Sequence, residues 1–135
     1  MLAIEISGLP ISTNASLMAR GSRLIHTTAA RNYRRDTTAA ISRHLEALEG
    51  VEKMLEGWKG RELSLEIDLY GSWYTKKEKI KCCDCCNKEK LLVDSLFEAL
   101  KVYDKEIDDC QLFSVNIRKI TSDVEMTTIK LEVAI

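Results

Sequence analysis

The sequence predicts an α+β fold, a single mixed four-stranded sheet with helices packed on it in the order β-α-β-α-β-β. Three patterns carry this expectation. Leu63, Leu65, Ile67 and Leu69 alternate with Glu62, Ser64, Glu66 and Asp68, which reads as a strand with one buried and one wet face. Two stretches, near 28–49 and 88–102, repeat apolar residues at helical spacing. Two C-terminal runs, near 112–119 and 126–134, alternate again on either side of Ser122-Asp123, which predicts an antiparallel hairpin. Strands interleaved with helices in this way bury their apolar faces as one sheet covered by helices.

Taken in order, Leu2, Ile4 and Ile6 alternate with polar or small residues and predict a first strand over 2–7. Residues 7–26, with Gly8, Pro10, Asn14 and Gly21, read as a polar, irregular stretch; such a length is uncommon unless it is functional. Thr27 or Thr28 caps a helix that runs to about Leu48 and stops at Gly50, with Tyr33, Ala40, Ile41, Leu45 and Leu48 on its apolar face. A short turn around Val51–Leu55 precedes Gly57 and Gly60, and the strand at 62–70 follows. A lysine-rich segment and a cysteine cluster lead to a second helix from about Asn87, carrying Leu91, Leu92, Leu96, Ala99 and Leu100. Phe113, Val115 and Ile117 mark the third strand, and Thr127, Ile129, Leu131, Val133 and Ile135 the fourth.

A chain of 135 residues predicts one domain, spanning 1–135. It can bury roughly two-thirds of its unfolded surface, so it needs neither disulfide nor structural metal to fold. Aromatics make up only 6%, so the core is expected from Leu, Ile, Val and Ala. The first residues lack a basic segment followed by a long apolar one, and no apolar run approaches the roughly 18 residues of a membrane span. These features, with five cysteines of which four crowd into 82–86, predict a cytoplasmic protein without a disulfide framework or membrane contact.

The net charge of −1 conceals a gradient. Residues 1–43 hold six arginines, Arg20, Arg23, Arg31, Arg34, Arg35 and Arg43, against Glu5 and Asp36. Residues 76–90 hold six lysines, whereas residues 92–135 hold nine acids and five bases. Basic clusters of this kind make either a phosphate-binding surface or simply a solvated face. In 73–81, Lys76, Lys77, Lys79 and Lys81 are mixed with Trp73 and Tyr74, so phosphate contact could combine with stacking on an unpaired base.

The most informative run is Cys83-Asp84-Cys85-Cys86-Asn87-Lys88-Glu89-Lys90, continuing to Asp94 and Leu96, where a loop enters a helix. Lys90 and Asp94 are four apart and share a helix face. Asp108-Asp109-Cys110-Gln111 follows immediately before the third strand. If the helix packs beside that strand the two acidic sites converge, and converging carboxylates bind a hard cation such as Mg²⁺. Other roles remain open: Asp84 as a helix cap, Asp108-Asp109 as a turn, and Lys90 with Asp94 as an exposed ion pair.

These motifs resemble the RusA-type Holliday-junction resolvases. In that family an Asp-x-Asp-Asn-x-x-Lys-x-x-x-Asp-Ala-Leu run is followed by Asp-Asp-x-Gln before a strand. Asp84, Asn87, Lys90, Asp94 and Leu96 fall on the first motif, and Asp108, Asp109 and Gln111 on the second. Gly8-Leu9-Pro10-Ile11-Ser12-Thr13-Asn14 is similar to the family's Gly-x-Pro-x-Ser-x-Asn opening. The resemblance implies a homodimer that recognises four-way DNA junctions by structure and makes paired, symmetric cuts by Mg²⁺-dependent hydrolysis, with Mn²⁺ a possible substitute. It implies that catalytic aspartates sit at Asp84, position 86 and Asp109, with Lys90 as supporting base and Asp108 as a further candidate metal ligand. Candidate DNA contacts are Lys76, Lys77, Lys79, Lys81, Arg20, Arg23, Asn14 and Asn87, with Asp94 and Cys86 in support. The departure is Cys86, since a thiol is a poor Mg²⁺ ligand. The alternative is therefore a junction-binding dimer with weakened catalysis.

The cysteines allow other readings. Cys82, Cys83, Cys85 and Cys86 could offer thiolates to Zn²⁺, could be inert, or could be redox-sensitive. Adjacent cysteines wrap a tetrahedral ion poorly, which argues against a structural zinc. His26 and His44 stand alone, at no catalytic spacing.

Overall fold

The computed structural model describes residues 1–11, 17–21, 23–81 and 88–134. Its elements are β1 (Leu2–Ser7), β2 (Leu17–Arg20), β3 (Arg23–His26), α1 (Thr28–Ala47), α2 (Val51–Trp58), β4 (Leu63–Gly71), α3 (Lys90–Leu100), β5 (Leu112–Thr121) and β6 (Met126–Val133). A 3-10 turn, Asp109–Gln111, leads into β5.

The main sheet is mixed, as expected, with strand order β1-β6-β4-β5. β6 runs antiparallel to β1 and β4, while β4 and β5 are parallel. Parallel neighbours need a crossover, and the chain supplies it through α3. The alternation read in the sequence sets the layers. Leu2, Ile4 and Ile6, then Leu63, Leu65, Ile67 and Leu69, then Ile129 and Leu131 form one apolar face. That face joins a single core with Ile41 and Leu45 of α1, Leu55 and Trp58 of α2, and Leu92, Leu96 and Leu100 of α3. The opposite face stays wet; there Arg118 of β5 grips Asp68 of β4 with two hydrogen bonds of 2.9 Å.

The start of α1 follows from its cap. Thr27 is extended, and its hydroxyl accepts from the Ala30 N–H at 3.2 Å. Ala30, Thr37, Ile41 and Leu45 then repeat at helical spacing and are buried. Leu48, expected on the apolar face, is instead exposed just beyond the last turn.

Four other expectations need correction. First, β5 and β6 do not form a hairpin, because β4 lies between them. The link 122–125 spans roughly 13 Å when extended, enough to step over one strand, two spacings of about 4.8 Å. β4 has the most regular apolar alternation and takes the position with a neighbour on each side. β5, with Phe113 69% and Val115 40% exposed, takes the edge. Second, the stretch 7–26 contains the antiparallel ribbon β2–β3, which pairs Leu17 with His26 and Arg20 with Arg23. Third, Val51–Trp58 is a helix rather than a turn; Val51, Leu55 and Trp58 fall on one buried face, and Gly50 takes the left-handed conformation before it. Fourth, α3 begins at Lys90 rather than near Asn87, so Lys90 opens the helix and Asp94 lies one turn in.

Candidate active site

The link between α3 and β5 is shaped by a small hydrogen-bonded device. The Asp108 side chain accepts from the Cys110 N–H at 3.3 Å, and Gln111 Oε1 accepts from the Asp108 N–H at 3.0 Å. This is a capping box on a single 3-10 turn. Gln111 reaches further, donating through Nε2 to the Trp58 and Arg61 carbonyls, both at 3.0 Å. The Asp-Asp-x-Gln run is thus held to the end of α2, with Ile107 fully buried beneath it. Asp109 is left projecting beside α3.

There it meets the helix face read from the sequence. A cavity of about 210 Å³ is lined by Glu89, Lys90, Val93, Asp94, Asp109, Leu112 and Val115. A second, of about 280 Å³, shares Asp94 and Asp109 and adds Arg34, Phe97, Glu98 and Lys101. Lys90 Nζ lies 3.6 Å from Asp94 Oδ1, and Lys101 Nζ lies 3.6 Å from Asp108 Oδ2. Convergence of the second acidic motif with the helical part of the first is therefore a feature of the fold.

Electrostatics at the turn show concentrated negative charge. A hydrogen bond with the Asp108 side chain, then burial, then the charges of Asp108 and Asp94 hold the Asp109 carboxyl above its ordinary range; Lys101 opposes them. Asp108 moves the other way, held down by its hydrogen bond with Asp109, by the Cys110 N–H and by Lys101. Two adjacent carboxyl groups divide their titration in this manner because both resist ionising together. A bound dication would relieve the repulsion. The donors are hard carboxylate oxygens, a fit for Mg²⁺ or Mn²⁺ and a poor one for soft metals. Among the described residues, no group of three or more His, Cys, Asp or Glu side chains is gathered tightly enough to hold an ion.

The other expected site residues are placed unevenly. Asp84, Cys86, Asn87, Asn14 and the Cys82–Cys86 cluster lie outside the described residues. The backbones of Arg20 and Arg23 pair in register at the end of the β2–β3 ribbon, next to Gly21 with φ +64°. Lys76, Lys77, Lys79 and Lys81 are exposed on a tight projection. It is closed by a Tyr74–Ile80 bridge and by hydrogen bonds from Thr75 N to Lys79 O (2.7 Å) and Lys81 N to Trp73 O (2.8 Å). Trp73, read as a stacking platform, is instead 7% exposed, and its Nε1 donates to the Leu69 and Ile120 carbonyls at 3.1 Å. It anchors the projection in the core. Tyr74 is half exposed, at 50%.

Residues 8–132 match the family described as endodeoxyribonuclease RusA, nearly the whole chain. The chain belongs to the RusA endodeoxyribonuclease family. Members of this family are nucleases that act on branched DNA and are generally dependent on a divalent metal. No curated protein gives a significant match. Lys101 lines the site but was not among the residues expected from sequence, and Arg34, read only as one of a cluster of arginines that could meet phosphate, lines it as well. Lys101 lies seven residues after Asp94, two turns along the same helix face, and that spacing was the available signal. Arg34 comes from another helix, and no spacing could reveal it.

Gln111 explains the last position of the RusA motif as a brace. Gln111→Ala should lower stability by about 1–2 kcal/mol, since it removes three hydrogen bonds, two to the Trp58 and Arg61 carbonyls and one from the Asp108 N–H. It should also reduce cleavage, because Asp109 loses its mounting. Denaturant unfolding and cleavage rates measured together check this; an unchanged unfolding midpoint would refute the bracing role.

Proposed function

We propose that this protein is a Mg²⁺-dependent, structure-selective endonuclease that resolves Holliday junctions by paired symmetric phosphodiester hydrolysis in DNA recombination and repair. The observation that carries the reading is the convergence of Asp109 with Lys90 and Asp94 around one cavity, in a chain of the RusA family. Asp84 and Asp109 would hold the ion, with Asp108 in support; Mn²⁺ can replace Mg²⁺ at such oxygen donors. When bound, the ion supplies an activated water and neutralises charge at the scissile phosphate.

The rest of the chemistry belongs to side chains. Lys90 places an ammonium at the cavity rim, where it stabilises charge developing on phosphate oxygens. Asp94, one turn on, fixes that ammonium through the 3.6 Å pair. Lys101 offsets the charge of Asp108 and leaves Asp109 the freer ligand. The exposed lysines and the β2–β3 arginines contact flanking phosphates, with Asn14 and Asn87 in support. A four-way junction has two equivalent strands to cut, so a symmetric homodimer supplies two sites. No described helix is long and apolar enough to cross a membrane, and the cytoplasm is the setting we infer.

The test is cleavage of a synthetic four-way junction against a linear duplex of the same arm sequence, with Mg²⁺, Mn²⁺ or chelator. The expected result is symmetric nicks in the junction alone, lost on chelation. Absence of cutting with either metal would end the nuclease reading. Cys86 favours one variation: if the junction is bound but uncut, and Cys86→Asp cuts it, the protein is a weakened junction-binding dimer.

A further inference from the structure

Arg34 stands on α1, 64 residues from its partner Glu98, and with it lines two neighbouring cavities. It lines the cavity of Asp94, Lys101 and Asp109, and it also lines a groove of about 440 Å³ formed by Arg31, Arg35, Thr38, Ala39, Ser42 and Glu98. Arg34 and Glu98 are common to both, so the cavity of the carboxylates adjoins the groove of the arginine ridge. We infer that Arg34 is a phosphate-positioning residue and that the substrate strand leaves the cutting site along α1, over Arg34 toward Arg31 and Arg35. The inference rests on the nuclease reading and adds a path and a residue to it.

The chemistry favours an anionic strand. Asp94, Asp108 and Asp109 repel phosphate, so a strand approaching them needs compensating cations close by. Arg34 supplies one in the same cavity as Asp109. Its Nε donates to Glu98 Oε2 at 2.8 Å, and among the described residues no other nitrogen of the Arg34 guanidinium has a hydrogen-bond partner. The pair thus orients the fork while leaving its terminal amines for two oxygens of one phosphate. Arg31 is oriented in a similar way by the His26 carbonyl at 3.1 Å and the Thr28 hydroxyl at 3.3 Å. Arg31, Arg34, Arg35 and Thr38 share one face by their three- and four-residue spacing. The competing role for the pair is a tie between α1 and α3, but both partners are solvent-exposed, at 41% and 50%, and such pairs contribute little to stability.

Three variants of the full chain separate these roles: Arg34→Ala, Arg34→Lys and Glu98→Gln, each assayed for junction binding over a salt series and for single-turnover cleavage. Loss of one phosphate contact should weaken binding about 10-fold and reduce the slope of log affinity against log salt by about one in Arg34→Ala. Arg34→Lys should regain the slope but cleave more slowly than wild type, because an ammonium lacks the two-pronged geometry. Glu98→Gln takes the charge out of the same pair yet should bind more tightly, since it removes a negative charge from the path. A tie between helices predicts instead that Arg34→Ala and Glu98→Gln behave alike, and that result would overturn the inference. So would an unchanged slope in Arg34→Ala while wild type cuts junctions, which leaves the nuclease reading intact. A wild-type protein that neither binds nor cuts junctions overturns both.

Discussion

Asp109→Asn should reduce junction cleavage by at least about 100-fold while leaving junction binding equal or tighter. Residues that merely orient a metal ligand change affinity or activity by about 10- to 100-fold when replaced, so loss of a direct carboxylate ligand costs no less. Asp109 lines the cavity together with Glu89 and Asp94. Asp108 is engaged by the Cys110 N–H and by Lys101, and Asp94 by Lys90. Binding survives because the substitution removes negative charge from a surface that must accept phosphates. The folded state should survive as well, because a neutral amide in place of the Asp109 carboxylate relieves repulsion from Asp108 and Asp94. A second readout is independent of catalysis. Mg²⁺ should raise the melting temperature of the wild-type protein, since a ligand of the native state stabilises it, and should do so far less in Asp109→Asn. Cleavage within a few-fold of wild type, or an unaltered Mg²⁺ response, would remove Asp109 from the metal site.

Much of this arrangement was legible in the sequence, and the gaps have physical causes. β4 could be read because its four leucine and isoleucine side chains all face the core and every alternate residue is polar. The α1 cap was legible because Thr27 precedes the first apolar repeat. The sheet order was not, because period-2 alternation states which face a strand buries and says nothing about which strand lies beside it. Ser122-Asp123 marks a reversal equally well whether the chain returns to the adjacent strand or steps over it. α2 was obscured by Gly50, Gly57 and Gly60, which read as breakers although Val51, Leu55 and Trp58 already had helical spacing. Trp73 looked like part of a basic, aromatic loop because its neighbours are lysines; the two carbonyls that fix it come from β4 and β5. In the site, Lys90, Asp94 and Asp109 were found together because they belong to local motifs. Arg34 was placed by α1 packing on α3, a contact without any sequence signature.

Replacing Lys76, Lys77, Lys79 and Lys81 together by Ala should lower junction affinity by roughly 100-fold at moderate salt. Each phosphate contact contributes about 0.9 to the slope of log affinity against log salt, so four contacts account for a change of about three to four. The substitutions should not disturb the fold. All four side chains are exposed, and the projection is held by backbone hydrogen bonds and by the buried Trp73 beneath it. Lys119, 5.2 Å from the Trp73 ring, remains to support the base. The projection extends from the end of β4 and precedes in sequence the segment that carries Asp84, so under the proposed function these lysines would meet DNA ahead of that segment. Loss of affinity should therefore be accompanied by slower cleavage at subsaturating enzyme, with much of the rate recovered at saturation because the cutting residues are untouched. Linear duplex should lose affinity too, since phosphate contacts carry no shape information. The ratio of junction to duplex affinity then shows whether the projection only attracts DNA or also reads the branch. An unchanged salt slope in the quadruple variant would exclude these lysines from the DNA surface and leave the arginine ridge of α1 to hold the substrate.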